Sequence, residues 1–297
     1  MACTLCPRRC GAARKDDGSL GFCRVPEAVY VSRAAPHFGE EPCISGTRGS
    51  GAVFFCGCNL RCVFCQNYRI SRGPEQGKPL TVEQLRALFL RLRDKGVHNL
   101  NLVTPSHYSA AIAEALSGLD LGVPVVWNSS GYETVEQLRA LEGLVQVYLP
   151  DLKYMDAALA ARYSAAPDYP EVALAAIREM YRQTGPAQLD GDGLLRRGVL
   201  IRHLVLPGAP ENTLRVIDAV EDHLPAKNIM FSLMRQYTPM PGLPAGRFPE
   251  LERRVTAEEY ERVRSYLEFS GIVHGYYQDP ESAGEEQIPA FDLTGVE

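Results

Sequence analysis

The sequence predicts an α/β protein built as a partial, TIM-like (β/α)6 barrel, with a small cysteine-rich extension in front of it. Three observations lead there. Strand-like apolar runs alternate with helical periodicities from residue 52 to residue 233, as repeated β-α units with parallel strands do. About six such units can be counted, short of the eight of a full barrel. The polar residues that stand out fall at or near the ends of strand-like runs, where a β/α barrel gathers its ligands. Periodicity does not separate a partial barrel from an open doubly wound sheet, so the latter stays as the alternative.

The elements follow in order. Residues 52–56 (AVFFC) form an apolar run suited to a buried strand. Residues 81–95 read as a helix: Thr81 and Gln84 make a capping-box pattern, and Leu85, Leu88, Phe89 and Leu92 mark one face. Strands are expected at 99–103, 124–127, 145–149, 199–206 and 228–233. Helices are expected at 108–116, 134–141, 156–163, 170–183 and 211–222. Residues 1–50 show little periodicity and read as a metal-stapled module with a connecting segment. Residues 51–297 read as the core, with a C-terminal extension holding Pro-rich stretches, one helix and an acidic tail.

Composition narrows the function. The chain has 297 residues, is 45% hydrophobic, and carries a net charge of −5, so it can bury a sizeable core but has no basic surplus for nucleic acid. No apolar run is long enough to span a bilayer, which excludes an integral membrane role. The start, MACTLCPRRC, lacks a signal-peptide core, so a cytoplasmic protein is expected. In a reducing compartment clustered cysteines suggest metal before disulfide. All nine cysteines precede residue 66, and eight of them fall in two groups.

The second group contains Cys58, Cys62 and Cys65, a Cys-x3-Cys-x2-Cys loop directly after the first expected strand. Three thiolates on a tight loop can ligate three irons of a 4Fe–4S cubane and leave the fourth iron open to a chelating ligand. The competing reading is zinc, which asks for four closed ligands; Cys56 sits on the strand at a spacing that would strain such a site. In the first group Cys3, Cys6, Cys10 and Cys23 can close a second metal site, zinc or another iron–sulfur cluster, with Pro7, Arg8 and Arg9 as a basic edge. Cys43 is isolated and reads as a buried hydrophobe.

The spacing of Cys58, Cys62 and Cys65 resembles the signature of the radical S-adenosylmethionine (radical SAM) superfamily, and the resemblance covers most of the chain. It implies that the open iron chelates S-adenosylmethionine and that reductive cleavage yields a 5′-deoxyadenosyl radical. It places Phe64 beside the adenine. It further implies an electron donor such as flavodoxin or ferredoxin.

Within the superfamily the chain resembles activases of glycyl radical enzymes, relatives of the pyruvate formate-lyase activating enzyme. Asp151-Leu152-Lys153 matches their D-x-K motif. Arg202-His203-Leu204-Val205-Leu206-Pro207-Gly208 is similar to their arginine-bearing strand, and Asn128-Ser129-Ser130-Gly131 to an Asp-Thr-Asn-Gly turn. This implies that Lys153 or Arg202 pairs with the cofactor carboxylate, and that Asn128, Ser129 and Asp151 hold a monovalent cation beside it. It also implies a protein glycine as substrate. Two departures stand out. Val103-Thr104-Pro105-Ser106 replaces the Gly-Gly-Glu that holds the cofactor amino group, leaving the hydroxyl and carbonyl of Thr104. Asn128 replaces an aspartate.

Other residues weigh less. His37, His107 and His203 read as structural, and Tyr108, Tyr132, Tyr148 and Tyr237 as packing. Gln66-Asn67-Tyr68 can cap the cluster loop, and Arg235-Gln236-Tyr237 can contact a substrate. A non-catalytic iron–sulfur electron carrier and a zinc-binding scaffold stand as the alternative functions.

Overall fold

The computed structural model describes residues 3–15, 19–241, 243, 246–278 and 289–296. Much of the expected acidic tail, 279–288, lies outside the described residues. The first regular element is a strand where the sequence had shown little periodicity, β1 (Val29–His37). It pairs antiparallel with β2 (Ser50–Phe55), after the short helix α1 (Pro42–Ser45). Its sequence mixes Arg and Pro with small residues, so no alternation announces it. The cluster loop and α2 (Tyr68–Ser71) follow, then β3 (Lys78–Leu80), which pairs with β1.

From there the expected alternation holds. α3 (Val82–Asp94) starts at the capping box: Gln84 N donates to Thr81 Oγ1 at 3.2 Å, and Thr81 N to Gln84 Oε1 at 2.9 Å. Its buried face is Leu85, Leu88, Phe89 and Leu92, the four residues its periodicity marked. Next come β4 (Leu100–Val103), α4 (Ser109–Leu116), β5 (Val125–Ser129), α5 (Val135–Arg139) and β6 (Val147–Pro150). α6 (Ala157–Ser164) and α7 (Tyr169–Thr184) precede a short β7 (Gln188–Leu189), which lies antiparallel on β8 (Leu195–Leu204). α8 (Pro210–His223), β9 (Met230–Met234), α9 (Ala257–Glu268) and β10 (Gly275–Tyr277) complete the chain.

Strands β2, β4, β5, β6, β8, β9 and β10 lie parallel in that order. The order never reverses, as it must in a doubly wound sheet. The six strands from β2 to β9 are therefore the partial barrel expected, with β10 added at one edge and the β1–β3 pair at the other.

Alternate side chains of these strands point into the barrel. At the N-terminal end of the strands, Val126, Val147, Leu149, Leu200 and Met230 pack on Cys43 and Ile44 of α1, which plugs the barrel bottom. Asn99 Nδ2 fixes the plug by donating to Ile44 O at 2.7 Å. Cys43 is the buried hydrophobe that was expected, 1% exposed. Above this apolar layer the inward residues turn polar, and a cavity of about 400 Å³ opens toward the C-terminal strand ends.

A candidate cofactor site at the C-terminal ends of the barrel strands

The cavity brings the candidate residues of the core together. Cys58, Cys62, Cys65 and Phe64 form its rim. Thr104, Asn128, Ser129, Asp151, Lys153 and Arg202 line it from four different strands or the loops after them. Cys56 is not part of this wall: its Sγ packs toward Gly77, and burial pushes its thiol up to about 12.

The cluster loop is built to hold thiolates. Leu60 N and Arg61 N donate to Cys58 Sγ at 3.3 and 3.4 Å, and Ser164 Oγ donates to Cys62 Sγ at 3.1 Å. Arg61 takes a left-handed backbone (φ 54°) to make that turn. Without a cluster, burial and the neighbouring Cys58 and Cys62 push the Cys65 thiol up to about 12. Among the described residues no three Cys, His, Asp or Glu side chains converge on a single-ion site. A cubane asks for a different arrangement, one thiolate at each of three separate iron corners.

Opposite the rim, Arg202 organises the wall. Its Nε donates to Asp151 Oδ1 at 3.0 Å, its Nη1 to Glu40 Oε2 at 2.9 Å, and its Nη2 to Asn128 Oδ1 at 2.6 Å. Lys153 Nζ donates to Asp151 Oδ2 at 2.6 Å. Burial alone would raise the Asp151 carboxyl, but Lys153 and Arg202 outweigh it and hold the group below its ordinary range, so it is ionised at neutral pH. Glu40 completes the network by accepting from Asn101 Nδ2 at 3.1 Å and Asn128 Nδ2 at 3.0 Å. Thr104 has φ 60°, a conformation costly for a β-branched residue, and Thr104 N donates to Asn128 O at 2.8 Å.

Two of the oxygens proposed for a monovalent cation, Asn128 Oδ1 and Asp151 Oδ1, are thus already held by the Arg202 guanidinium. The third group, Ser129 Oγ, donates to Glu133 Oε2 at 2.7 Å. A monovalent cation would have to share these oxygens with Arg202 and Glu133.

Phe64 is buried on the rim and meets the rings of Tyr154, Tyr163 and Tyr237 edge-on, with centroids 6.0–6.4 Å apart. His107 and His203 lie in the core, donating or accepting within it, and do not line the cavity. Tyr108, Tyr132, Tyr148 and Tyr237 are packing residues as expected. Gln66, Asn67, Gln236 and His37 do reach the cavity wall. Sequence reasoning missed Glu40 and Glu41. They stand between the two cysteine groups, in a loop noted only for Cys43.

The cysteine-rich extension lies on the back of the cluster loop. Cys3, Cys6, Cys10 and Cys23 are near one another: burial pushes Cys6 up to about 11, with Cys23, Cys3 and Cys10 adding to it. Arg8 donates to Asn59 O at 2.8 Å, to Ser164 O at 2.7 Å and to Ala165 O, and its guanidinium lies 3.8 Å from the Phe22 ring.

Residues 52–220 match the sequence profile of the Radical SAM superfamily. The chain belongs to that superfamily. The uncharacterized protein MJ0674 of Methanocaldococcus jannaschii is 33% identical over 277 residues, 90% of this chain and 74% of the relative. A second protein of that organism, MJ0808, is 24% identical over 157 residues, 48% of this chain and 46% of its own length. Among solved structures, Streptococcus suis SuiB bound to S-adenosylmethionine aligns with a TM-score of 0.50 at 11% identity. That alignment covers 76% of this chain but only 49% of SuiB, and it shows a shared fold.

Membership in the radical SAM superfamily implies a 4Fe–4S cluster and S-adenosylmethionine as cofactors. The residues present fit both. The three rim cysteines would supply the donor set for a cluster with one open iron, and donors already point at two of their sulfurs. Among the described residues no helix is long and apolar enough to cross a membrane.

Proposed function

We propose that this radical SAM protein is an enzyme that cleaves S-adenosylmethionine reductively and abstracts hydrogen from a substrate held in the barrel lumen. The observation that carries the reading is that Cys58, Cys62, Cys65 and Phe64 share one cavity with Thr104, Asn128, Asp151, Lys153 and Arg202. When bound, the cluster supplies an electron and the cofactor supplies the carbon radical. The chain's own residues position and enclose. Cys58, Cys62 and Cys65 hold the cluster. Lys153, fixed by Asp151, offers an ammonium to the cofactor carboxylate. Arg202 is the weaker candidate for that contact, since three of its five N–H donors are engaged. Thr104 presents its hydroxyl and carbonyl where relatives carry a carboxylate. Phe64 offers a ring against the adenine.

The activase resemblance supports a protein glycine as substrate and rests on Asp151-Leu152-Lys153 and the Arg202 strand. A small molecule is the second reading. The charged floor of the cavity favours it, because a glycine of a protein backbone brings no charge to meet it. Cys3, Cys6, Cys10 and Cys23 are proposed as a second metal site, zinc or an iron–sulfur cluster, for which the four thiols would have to draw closer together; their spacing, Cys6 sensing the other three, and the tight turns Arg9 N to Cys6 O (3.0 Å) and Arg24 N to Gly21 O (3.0 Å) support it. An electron donor of the flavodoxin or ferredoxin kind belongs to the same reading.

Anaerobic reconstitution followed by dithionite and S-adenosylmethionine tests it. The expected products are 5′-deoxyadenosine and methionine in equal amounts, formed slowly without substrate. Each of Cys58→Ala, Cys62→Ala and Cys65→Ala should lose the core cluster's iron and visible absorbance. Absence of both products, with the cluster intact and the cofactor bound, would mean an electron carrier or strict substrate gating, and only a gated enzyme would begin turnover when candidate partner proteins are added.

A further inference from the structure

We propose that Ser164, oriented by Tyr154, sets the reduction potential of the core cluster through its hydrogen bond to Cys62. The inference rests on the reading of Cys58, Cys62 and Cys65 as cluster ligands. It goes beyond that reading by naming two positioning residues, both outside the cluster loop, that tune how readily an electron enters.

The three groups form a chain. Tyr154 follows Asp151-Leu152-Lys153 in the loop after β6, and its hydroxyl lies 2.9 Å from Ser164 Oγ. Ser164 is the last residue of α6, and its Oγ donates to Cys62 Sγ at 3.1 Å. All three residues are buried. A serine in a helix commonly turns its hydroxyl to the carbonyl one turn back. Ser164 turns it instead to a sulfur 102 residues earlier in the chain. The residue is held from its other side, where its backbone oxygen accepts from Arg8 Nη2 at 2.7 Å. The Tyr154 ring is held as well. It meets Phe64 and Tyr169 edge-on, with centroids 6.4 and 5.3 Å apart, so its hydroxyl has a fixed aim.

Counting protons gives the chain a direction. A thiolate on iron can only accept. Ser164 has one O–H, and that proton goes to the sulfur, so toward Tyr154 the serine oxygen accepts and the phenol donates. The two hydroxyl dipoles therefore add head to tail toward Cys62, in an interior where linked hydrogen bonds strengthen one another. On reduction the cluster gains one electron from its donor and no proton, so its negative charge grows by one. A donor aimed at a ligand sulfur stabilises that reduced form more than the oxidised one and raises the potential. Cys58 draws its donors from Leu60 N and Arg61 N, which are present whatever the side chains. Cys62 draws its donor from a side chain, and a single substitution removes it.

The experiment is an anaerobic redox titration of the reconstituted full-length protein, read by the electron paramagnetic resonance of the reduced cluster. The signal that changes on adding S-adenosylmethionine belongs to the core cluster, which separates it from any cluster on Cys3, Cys6, Cys10 and Cys23. Ser164→Ala should lower the ratio of reduced to oxidised cluster about tenfold at a fixed solution potential, a fall of about 59 mV for a one-electron couple. Tyr154→Phe keeps the ring and the serine and should lower the ratio less, by at least about twofold. Ser164→Thr keeps the hydroxyl and should stay within about twofold of the wild type. Iron content reports loading separately, and if Ser164→Ala fails to hold the cluster, Tyr154→Phe decides alone. An unchanged ratio in either Ser164→Ala or Tyr154→Phe overturns the proposal. So does a ratio in Ser164→Thr as low as in Ser164→Ala, because shape and not the hydroxyl would then set the potential. A wild type with no signal that responds to S-adenosylmethionine overturns the cluster reading and this inference with it. A responsive signal with unchanged ratios overturns this inference alone.

Discussion

Arg202 Nη1 lies 2.9 Å from Glu40 Oε2, joining a barrel strand to a loop 162 residues earlier in the chain. Both side chains are nearly sealed, 14% and 9% exposed. The pair fixes the wall of the cavity that carries Asp151 and Asn128, and it ties the β1–β2 unit to the far side of the barrel. Removing one member strands the other charge in the interior. Glu40→Ala should therefore destabilise the protein by roughly 3–5 kcal/mol. Arg202→Ala should cost at least as much, since Asp151 also loses a partner. The double variant should cost less than the sum. Urea unfolding of all three gives the coupling directly. Additivity within about 0.5 kcal/mol would show that the two residues do not act together.

Lys153 makes a different prediction. Its Nζ donates to Asp151 Oδ2, 2.6 Å away, and Lys153 stands at the cavity wall. Lys153→Ala should lower S-adenosylmethionine affinity by about 2–5 kcal/mol while iron content stays at the wild-type level. Unchanged affinity would remove Lys153 from the cofactor site.

The barrel was legible because its helices and strands repeat. Leu85, Leu88, Phe89 and Leu92 mark one face of α3, and the same four are its buried residues. The cluster loop was legible because three cysteines at fixed spacing leave little else to do in a reducing compartment. Glu40 and Glu41 were not legible. Nothing in Glu40-Glu41-Pro42-Cys43 separates two lumen carboxylates from a solvated turn. Only the antiparallel return of β1, itself without alternation, carries them under the barrel. Asn128 was placed on the wall but its use was not foreseen. The sequence offered it to a cation, whereas the fold gives both ends of its amide to Arg202 and Glu40.

His203 sets a pH dependence. Its ring is fully buried: Nδ1 donates to Leu152 O at 2.6 Å, and Nε2 pairs with Thr213 Oγ1 at 3.0 Å. A carbonyl can only accept, so Nδ1 carries the proton and Nε2 accepts from the hydroxyl. Burial, with Lys153 nearby, lowers the pKa from 6.5 to about 4. The unfolded chain then binds a proton that the folded one refuses. The stability from the neutral ring is present above pH 6.5 and is lost as the pH falls toward about 4. The full loss is on the order of 3 kcal/mol. His203→Gln should be less stable at pH 7.5 and show a shallower decline between pH 6.5 and 4. A decline of unchanged slope would assign the acid sensitivity to other groups.

The last prediction concerns how the cysteine-rich extension reaches the radical site. Arg8 follows Cys6 by two residues and crosses to the cluster loop, where it binds Asn59 O between Cys58 and Cys62. The same guanidinium holds Ser164 O and Ala165 O at the end of α6, while Ser164 Oγ donates to Cys62 Sγ. Arg61 answers from the other side: its Nη1 donates to Phe22 O at 3.0 Å, next to Cys23, and both guanidiniums lie against the Phe22 ring. Any metal that orders Cys6 and Cys23 would therefore stiffen the loop that holds the cluster. Arg8→Ala should leave the cysteines of the core able to load iron, yet speed amide exchange across residues 57–65 and shorten the lifetime of the cluster under chelator. Hydrogen bonds from a charged donor are worth about 1.5–3 kcal/mol each, so local exchange should quicken by at least about tenfold. Arg8→Lys should rescue little, because one ammonium cannot span three carbonyls and stack on Phe22 at once. Exchange and cluster lifetime unchanged in both variants would show that the extension and the radical site are mechanically independent.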